Sequence, residues 1–227
     1  GIGGDNTVKI TREGDYYKFY INNTYITRID FENFFGNEIG YGVYFRQKIA
    51  IDYLSIKGLK ENIDNVIVTN DALKVPLYDD FSSNKNSWNL ENADDYSLDL
   101  TGGKLIMHRK KEGGIFISRD VDIDDSKDFI IETSIGEINT STGWYGVTFG
   151  RKNSSNEFSF LLSGNGNYKF RKFDNDVYKE IIPLTFASSI KTGSNAENII
   201  KIVKSGSLIR FYINNTYVNE APFQRFF

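Results

Sequence analysis

The sequence predicts an all-β protein, an antiparallel sandwich or barrel, and three observations carry this prediction. Segments of five to ten residues in which apolar and polar side chains alternate recur along the chain at regular spacing. Turn signals rich in Gly, Asn, Asp and Ser separate these segments. Scarcely any stretch has the periodicity of an amphipathic helix. Short strands at even spacing without helices are typical of these two architectures.

The first part of the chain, residues 1–57, predicts a hairpin followed by two strands. Apolar residues alternate up to Ile21, and Asn22-Asn23 then supplies a two-residue turn, because Asn tolerates the positive φ that such turns require. The segments Ile39–Phe45 and Ile49–Ile56 are rich in β-branched and aromatic residues and predict strands.

Residues 58–78 interrupt the strand pattern and are interpreted as a connector. Residues 79–227 resume it, beginning at Asp79-Asp80-Phe81. The strands predicted there are Tyr96–Leu100, Lys104–Arg109, Gly114–Val121, Phe129–Ile138, Trp144–Arg151, Glu157–Ser163, Asn167–Phe173, Val177–Pro183, Ile199–Lys204 and Leu208–Asn214.

One segment of the chain occurs twice. Residues 1–35 align with 193–227 without a gap, at 15 identities in 35 positions, and both copies contain Phe-Tyr-Ile-Asn-Asn-Thr-Tyr. Such self-similarity indicates a repeat. We therefore interpret 1–57 as the C-terminal strands of one repeat and 79–227 as the N-terminal and central strands of the next.

Several of these segments resemble concanavalin A-like and laminin-G-like jelly-roll domains. The resemblance lies in Tyr78-Asp79-Asp80-Phe81 with the later Trp88, in the run from Asn198 to Asn215, and in Gly40–Leu54 with Asp52 inside the last strand. It covers most of 79–227 together with 1–57. The resemblance implies a two-sheet antiparallel sandwich of about a dozen strands, a fold often used to bind glycans or proteins.

The shifted frame of the repeat has a structural consequence. The second repeat ends at Phe227, which aligns with Phe35, so it lacks counterparts of residues 36–57. An incomplete sheet would leave backbone groups unpaired. We therefore expect residues 36–57 to complete the sandwich of 79–227, as a circularly permuted domain.

Residues 1–35 are then surplus, because 193–227 compete for the same position. Two alternatives remain open. The surplus copy completes a neighbouring chain by strand donation, which can build a filament, or it belongs to an adjacent repeat of a tandem array.

Composition excludes several classes of function. The net charge of −3 and the pI near 5.4 argue against nucleic-acid binding, and no apolar run is long enough for membrane insertion. The chain contains no Cys, so thiol chemistry and disulfides are excluded, while the compartment stays open. A role in adhesion favours an extracellular or cell-surface setting.

No catalytic or cofactor motif is convincing. Glu132 and Glu137 are five residues apart on one predicted strand and so face opposite ways, and Glu157 stands alone, which argues against a glycosidase pair. The acidic run 120–128 lacks the Gly and the final Glu of an EF-hand loop, which favours a solvated turn over a calcium site. His108, the only His, lacks partners for a zinc site. We expect no cofactor and no metal.

Aromatic residues offer the best functional prediction. Trp144, Tyr145, Tyr168 and Tyr178 are candidates for a platform on which a sugar ring or a partner protein rests, although packing in the core is the simpler role for such rings. The sequence thus predicts a non-catalytic recognition or adhesion module. The alternatives are a structural subunit that assembles by strand exchange and an atypical glycoside hydrolase.

Overall fold

A computed structural model of the chain describes residues 8–13, 16–21, 24–30, 38–59, 77–121, 123–139 and 143–224. The chain divides into two compact units, which we name the hairpin unit (Gly1–Asn33) and the sandwich unit (Phe34–Phe227). The described residues form strands, turns and bends and contain no helix. The prediction of an all-β fold is therefore confirmed.

The hairpin unit is a three-stranded antiparallel sheet in the order β1-β2-β3. Its strands are β1 (Val8–Glu13), β2 (Tyr16–Ile21) and β3 (Thr24–Asp30). The β2–β3 hairpin was predicted from the alternation, whereas its predicted turn at Asn22-Asn23 lies outside the described residues.

The sandwich unit is built from two antiparallel sheets, as the resemblance implied at the level of architecture. Its strands are β4 (Glu38–Tyr44), β5 (Lys48–Leu59), β6 (Leu77–Asp79), β7 (Glu91–Asn92), β8 (Tyr96–Thr101), β9 (Lys104–Arg109), β10 (Gly114–Asp120), β11 (Asp128–Glu137), β12 (Trp144–Asn153), β13 (Asn156–Ser163), β14 (Asn167–Asp174), β15 (Val177–Phe186), β16 (Ala196–Ser205), β17 (Leu208–Ile213) and β18 (Thr216–Pro222).

Six of the described strands form one sheet, in the order β10-β4-β12-β13-β14-β15, and nine form the other, in the order β18-β17-β16-β11-β5-β9-β8-β7 with β6 paired to β5. We call them the six-stranded and the nine-stranded sheet. Each predicted strand of 79–227 corresponds to one of these strands. The short strands β6 and β7 were not predicted, because two or three residues are too few for a periodic pattern.

The strands β4 and β5 are interior strands of the two sheets, β4 of the six-stranded sheet and β5 of the nine-stranded sheet. Strand β4 pairs with β10 on one side and β12 on the other, and β5 pairs with β11 on one side and with β9 and β6 on the other. The turn between them crosses from one sheet to the other. The expectation that residues 36–57 complete the sandwich is confirmed for the part of that segment that the structure describes.

Two boundaries differ from the sequence prediction. Strand β5 continues to Leu59, whose partner is Asp128, so the predicted connector 58–78 begins inside a strand and ends in β6. Residues 60–76 of that connector lie outside the described residues. Strand β4 ends at Tyr44, because Phe45 has a positive φ of 65° and leaves the sheet.

The repeated segment forms the same pairing pattern in both units. The register Val8↔Ile21 and Tyr16↔Asp30 of the hairpin unit corresponds to Ile200↔Ile213 and Leu208↔Pro222 of the sandwich unit. Each copy has a register shift at the equivalent point, between Phe19 and Tyr20 or between Phe211 and Tyr212. Strands β16–β18 occupy the edge of the nine-stranded sheet, next to β11.

The core between the two sheets is rich in aromatic rings. Phe149 and Phe170 stack at 5.9 Å between ring centroids, and Phe211 of the facing sheet packs against Phe170 at 4.7 Å and against Phe160 at 4.5 Å. The hydroxyl of the fully buried Tyr41 bonds to Thr133 Oγ1 at 2.9 Å across the core. These contacts pack the six-stranded sheet against the nine-stranded sheet, and the outer face of the six-stranded sheet carries the candidate site.

Candidate functional site

The outer face of the six-stranded sheet contains a cleft between side chains of four neighbouring strands. Because side chains alternate across a strand, Tyr41 and Val43 point into the core and Tyr44 points outward. The cleft has a volume of about 250 Å³, and we name it the sheet-face cleft. It is lined by Tyr44, Phe45, Trp144, Leu161, Lys169 and Arg171.

Aromatic rings form one part of the sheet-face cleft. Trp144 begins β12, and Lys169 of β14 places its Nζ 4.3 Å from the centroid of the indole ring. The ring of Tyr44 packs edge-on against Phe116 at 5.3 Å between centroids. These contacts fix the rings of Trp144 and Tyr44 in place.

Phe45 stands at the rim of the cleft in an unfavourable backbone conformation. Its φ of 65° is one that bulky L residues rarely adopt, and its side chain is 50% exposed. Its N–H donates to the carbonyl of Gly113 at 2.8 Å, which holds the backbone in this conformation. Strain of this kind is concentrated at functional sites. An exposed aromatic ring held beside a cleft is well placed to contact a ligand.

Arg171 forms the basic end of the cleft and is held by aromatic rings. Its guanidinium carbon lies 4.9 Å from the ring centroid of Tyr44, 5.0 Å from that of Phe173 and 5.8 Å from that of Tyr178. Its Nη2 donates a hydrogen bond to the Tyr44 hydroxyl. The Arg171 Nε is buried and has no hydrogen-bond partner among the described residues. The guanidinium thus keeps unused hydrogen-bonding capacity although the residue is only 8% exposed.

Burial changes the protonation chemistry of the cleft. It raises the pKa of the Tyr44 hydroxyl above its ordinary value, so this group stays protonated. Burial, together with the nearby charge of Arg171, lowers the pKa of Lys169. Both pKa shifts have the same main cause, because burial removes the charged form of each group, the phenolate of Tyr44 and the ammonium of Lys169, from water.

A charged cluster lies beside the cleft on the same face, where Arg151 bridges two carboxylates. Its Nη1 donates to Glu38 at 2.6 Å and its Nε donates to Glu157 at 3.1 Å. Ser118 and Ser159 donate to the same two carboxylates. The expectation that Glu157 stands alone is wrong, because β4 brings Glu38 to it from 119 positions earlier in the sequence.

The pKa of Glu157 is raised above its ordinary value. Burial is the larger cause, and it outweighs the favourable charges of Arg151 and Arg171. The positive charge of Arg151 balances the negative charge of the buried Glu157 carboxylate. This arrangement is typical of a structural ion pair.

The four aromatic residues predicted as a platform do not share one surface. Trp144 lines the cleft, and Tyr178 lies at its border, against Arg171. Tyr145 and Tyr168 are each 1% exposed and point into the core. There, Tyr145 accepts a hydrogen bond from Asn198 and Tyr168 donates one to the carbonyl of Val218. Adjacent residues such as Trp144 and Tyr145 face opposite sides of a strand.

The acidic run 120–128 is engaged in local contacts where it is described. Asp124 accepts hydrogen bonds from Ser126 and pairs with Lys127 at 3.3 Å, and Asp128 pairs with Lys204 at 3.2 Å. Among the described residues, no group of three His, Asp or Glu side chains is arranged to hold a metal ion.

Sequence reasoning missed Tyr44, Phe45, Lys169 and Arg171. The alternation in β4 and β14 places Tyr44, Lys169 and Arg171 on the outer face, and this signal was present. The alternation does not show which distant strands pair, and it is this pairing that brings Tyr44, Lys169 and Arg171 close to Trp144.

Comparison with known proteins adds no functional assignment. No protein-family model matches the chain, and a search of curated proteins finds none with significant similarity. Within the described ranges, the chain contains no helix with the length and apolar character needed to cross a bilayer.

Proposed function

We propose that the protein is a non-catalytic recognition module that binds a carbohydrate in the sheet-face cleft. One observation carries the proposal: aromatic rings and two cationic side chains converge on a single cleft on the outer face of the six-stranded sheet. Sugars combine flat apolar faces, which pack on aromatic rings, with hydroxyls that accept hydrogen bonds from lysine and arginine.

The size of the cleft limits the ligand. Ligand pockets commonly have volumes of roughly 300–1,000 Å³, so the 250 Å³ of the sheet-face cleft suits a single sugar residue. A terminal sugar of a longer chain would therefore be the part that is recognised. Phe45 at the rim would pack against its exposed side.

The charged cluster of Glu38, Arg151 and Glu157 supports a role without catalysis. A glycosidase needs two carboxyl groups that act on the substrate, one as general acid and the other as general base or nucleophile. Here both carboxylates are engaged by one guanidinium and by serine hydroxyls. We therefore favour carbohydrate binding over glycoside hydrolysis as the function of the protein.

A glycan array followed by calorimetry tests the proposal. Trp144→Ala and Phe45→Gly are expected to weaken binding at least about tenfold, as loss of a well-packed aromatic contact does. Phe45→Gly also relieves the backbone strain, so its melting temperature should not fall. Phe186→Ala, on the 68% exposed Phe186 of β15, is the matched control. The proposal fails if no glycan binds, or if both cleft variants bind as the parent protein does.

A second candidate is self-assembly by strand donation, and a specific observation favours it. The hairpin unit reproduces the pairing of β16–β18, and in the sandwich unit β16 pairs with β11. Strand β1 corresponds to β16 in the repeated segment. It is therefore suited to pair with the β11 strand of another copy of the chain or of an adjacent repeat.

Light scattering over a range of concentrations tests this second candidate. Strand donation predicts a molar mass that grows with concentration. A species that stays monomeric at the highest concentration would eliminate the filament and leave the tandem-array interpretation of the hairpin unit.

A further inference from the structure

The charge balance of the sheet-face cleft is one-sided. Lys169 and Arg171 both line it, and the other four lining residues are Tyr, Phe, Trp and Leu. No carboxylate of the described residues forms an ion pair with either cation. Like charges repel, and burial removes the water that would screen them. Glu157 attracts Arg171 and Glu180 attracts Lys169, but neither carboxylate lines the cleft, and the pKa of Lys169 is still lowered.

The two acidic groups whose charges act on these cations, Glu157 and Glu180, accept hydrogen bonds from other side chains. Glu157 accepts hydrogen bonds from Arg151 and Ser159, and Glu180 accepts one from the Tyr178 hydroxyl at 2.6 Å. The rings of Trp144 and Tyr44 stabilise the two cations in part, through cation–π contacts. The Arg171 Nη2 donates to the Tyr44 hydroxyl, whereas the Arg171 Nε has no partner among the described residues, so part of the guanidinium remains available to an anion.

We propose that the sugar bound in the sheet-face cleft is an acidic one, whose carboxylate is held by Lys169 and Arg171. This inference rests on the proposed function and names its ligand class. A guanidinium and an ammonium on one side of a cleft match the two oxygens of a carboxylate, and charge-assisted hydrogen bonds are the strong ones. The aromatic rings of the cleft then contact the apolar face of the same sugar.

Matched pairs of sugars test the inference on the full chain. Methyl glucuronide is compared with methyl glucoside, and methyl galacturonide with methyl galactoside, by calorimetry at low and high salt. The uronide that binds should bind at least about tenfold more tightly than its neutral partner, the gain expected from a charged hydrogen bond. Its affinity should fall with added salt, while that of the neutral sugar should change little.

A charge variant locates the effect in the cleft. Lys169→Gln is expected to lower uronide affinity about tenfold and neutral-sugar affinity by a smaller factor, because the loss of charge affects the carboxylate while the amide can still donate to a hydroxyl. Lys152→Gln, at an exposed lysine near the end of β12, should leave both unchanged. Lys169→Met serves as a second variant if the glutamine form folds poorly.

The outcomes separate the two claims. Equal affinity for a uronide and its neutral partner overturns the inference and leaves carbohydrate recognition standing. No binding by any glycan of the array overturns the proposed function itself. Equal affinity for a uronide and an acidic peptide such as tri-glutamate overturns the sugar part and indicates a protein partner.

Discussion

The indole Nε1 of Trp88 donates a hydrogen bond to Asp79 Oδ2 at 2.7 Å, deep in the sandwich unit. Asp79 is fully buried, and its two oxygens also accept hydrogen bonds from the backbone N–H of Phe81 and from the side chain of Asn86. One carboxylate thus satisfies three donors in the segment 79–88. This contact gives a structural role to Asp79 and Trp88, two of the residues on which the jelly-roll resemblance rests.

Replacing Asp79 should destabilise the fold strongly. Asp79→Ala leaves three donors without their acceptor, and each unsatisfied buried group costs roughly 1–3 kcal/mol, so we expect a loss of about 3 kcal/mol or more in unfolding free energy. Asp80→Ala is the matched control, because Asp80 bonds only to exposed groups of Ser82 and Lys85 in the described structure. Denaturant unfolding measures both. Similar losses in the two variants would contradict the role given to Asp79.

The substitution Gly40→Ala tests whether β4 lies between β10 and β12. A Cβ added at Gly40 would stand 1.8 Å from the carbonyl oxygen of Ile117 in β10, and backbone cannot move aside cheaply. Gly40→Ala should therefore cost at least about 2–3 kcal/mol, at the upper end of overpacking effects.

The control for this prediction is Gly136→Ala in β11. The nearest atom to a Cβ there is 3.8 Å away, so we expect a change within about 1 kcal/mol. Thermal unfolding compares the two variants. A harmless Gly40→Ala would mean that β4 does not pair with β10.

The turn at Asn214-Asn215 allows two substitutions with opposite results. Both residues have positive φ, 52° and 65°, which confirms the predicted two-residue turn in this copy of the repeat. Asn215→Gly should be neutral or stabilising by up to about 1 kcal/mol, because Gly adopts positive φ without strain.

Asn214→Gly should instead destabilise by about 1–3 kcal/mol. The Asn214 side chain accepts a hydrogen bond from the Ile199 N–H and donates to Ser189 and Asn198. Melting temperatures of the two variants distinguish the roles of the two Asn residues. Equal effects would indicate that backbone conformation alone decides both positions.

Glu157 should give stability a measurable pH dependence. The pKa of Glu157 is raised in the folded protein above the ordinary value of about 4.3. At a pH between these two pKa values, the folded state therefore binds more protons than the unfolded state. Stability from this group is then complete at low pH and is lost as pH rises through the folded pKa, with a slope of at most about 1.4 kcal/mol per pH unit.

Glu157→Gln removes the titrating group and should flatten that part of the stability curve. Denaturation midpoints measured from pH 4 to 8 give the slopes. Asp94→Asn, at an exposed carboxylate, should keep the slope of the parent protein. A Glu157→Gln protein with an unchanged slope would show that Glu157 does not cause it.

Alternation and turn residues were sufficient to predict the fold class and most of the strands, but not the short strands β6 and β7. The duplication was sufficient to predict that 36–57 join the sandwich of 79–227, because a repeat read out of frame implies a missing part. Neither could give the registers between distant strands, which depend on long-range packing. Lys169 and Trp144 are 25 positions apart in sequence, yet they meet because β12, β13 and β14 are neighbours.

The conformation of Phe45 could not be predicted either. A bulky residue at the end of an alternating run is normally read as one more strand position, and positive φ is expected for Gly or Asn. Similarly, Glu157 had no visible partner, because Glu38 belongs to the segment contributed from before the connector. The site combines residues from both sides of that connector, and residues 79–227 alone lack Tyr44 and Phe45, two of the six that line the cleft.

The interior position of β4 and β5 also bears on mechanical behaviour. Tension applied to the sandwich unit from its N-terminal side acts first on two strands that are hydrogen-bonded on both flanks, one in each sheet. Extracting either strand would break hydrogen bonds on both of its flanks, whereas an edge strand is bonded on one flank only. A tether attached at this end would thus pull on the most resistant part of the domain.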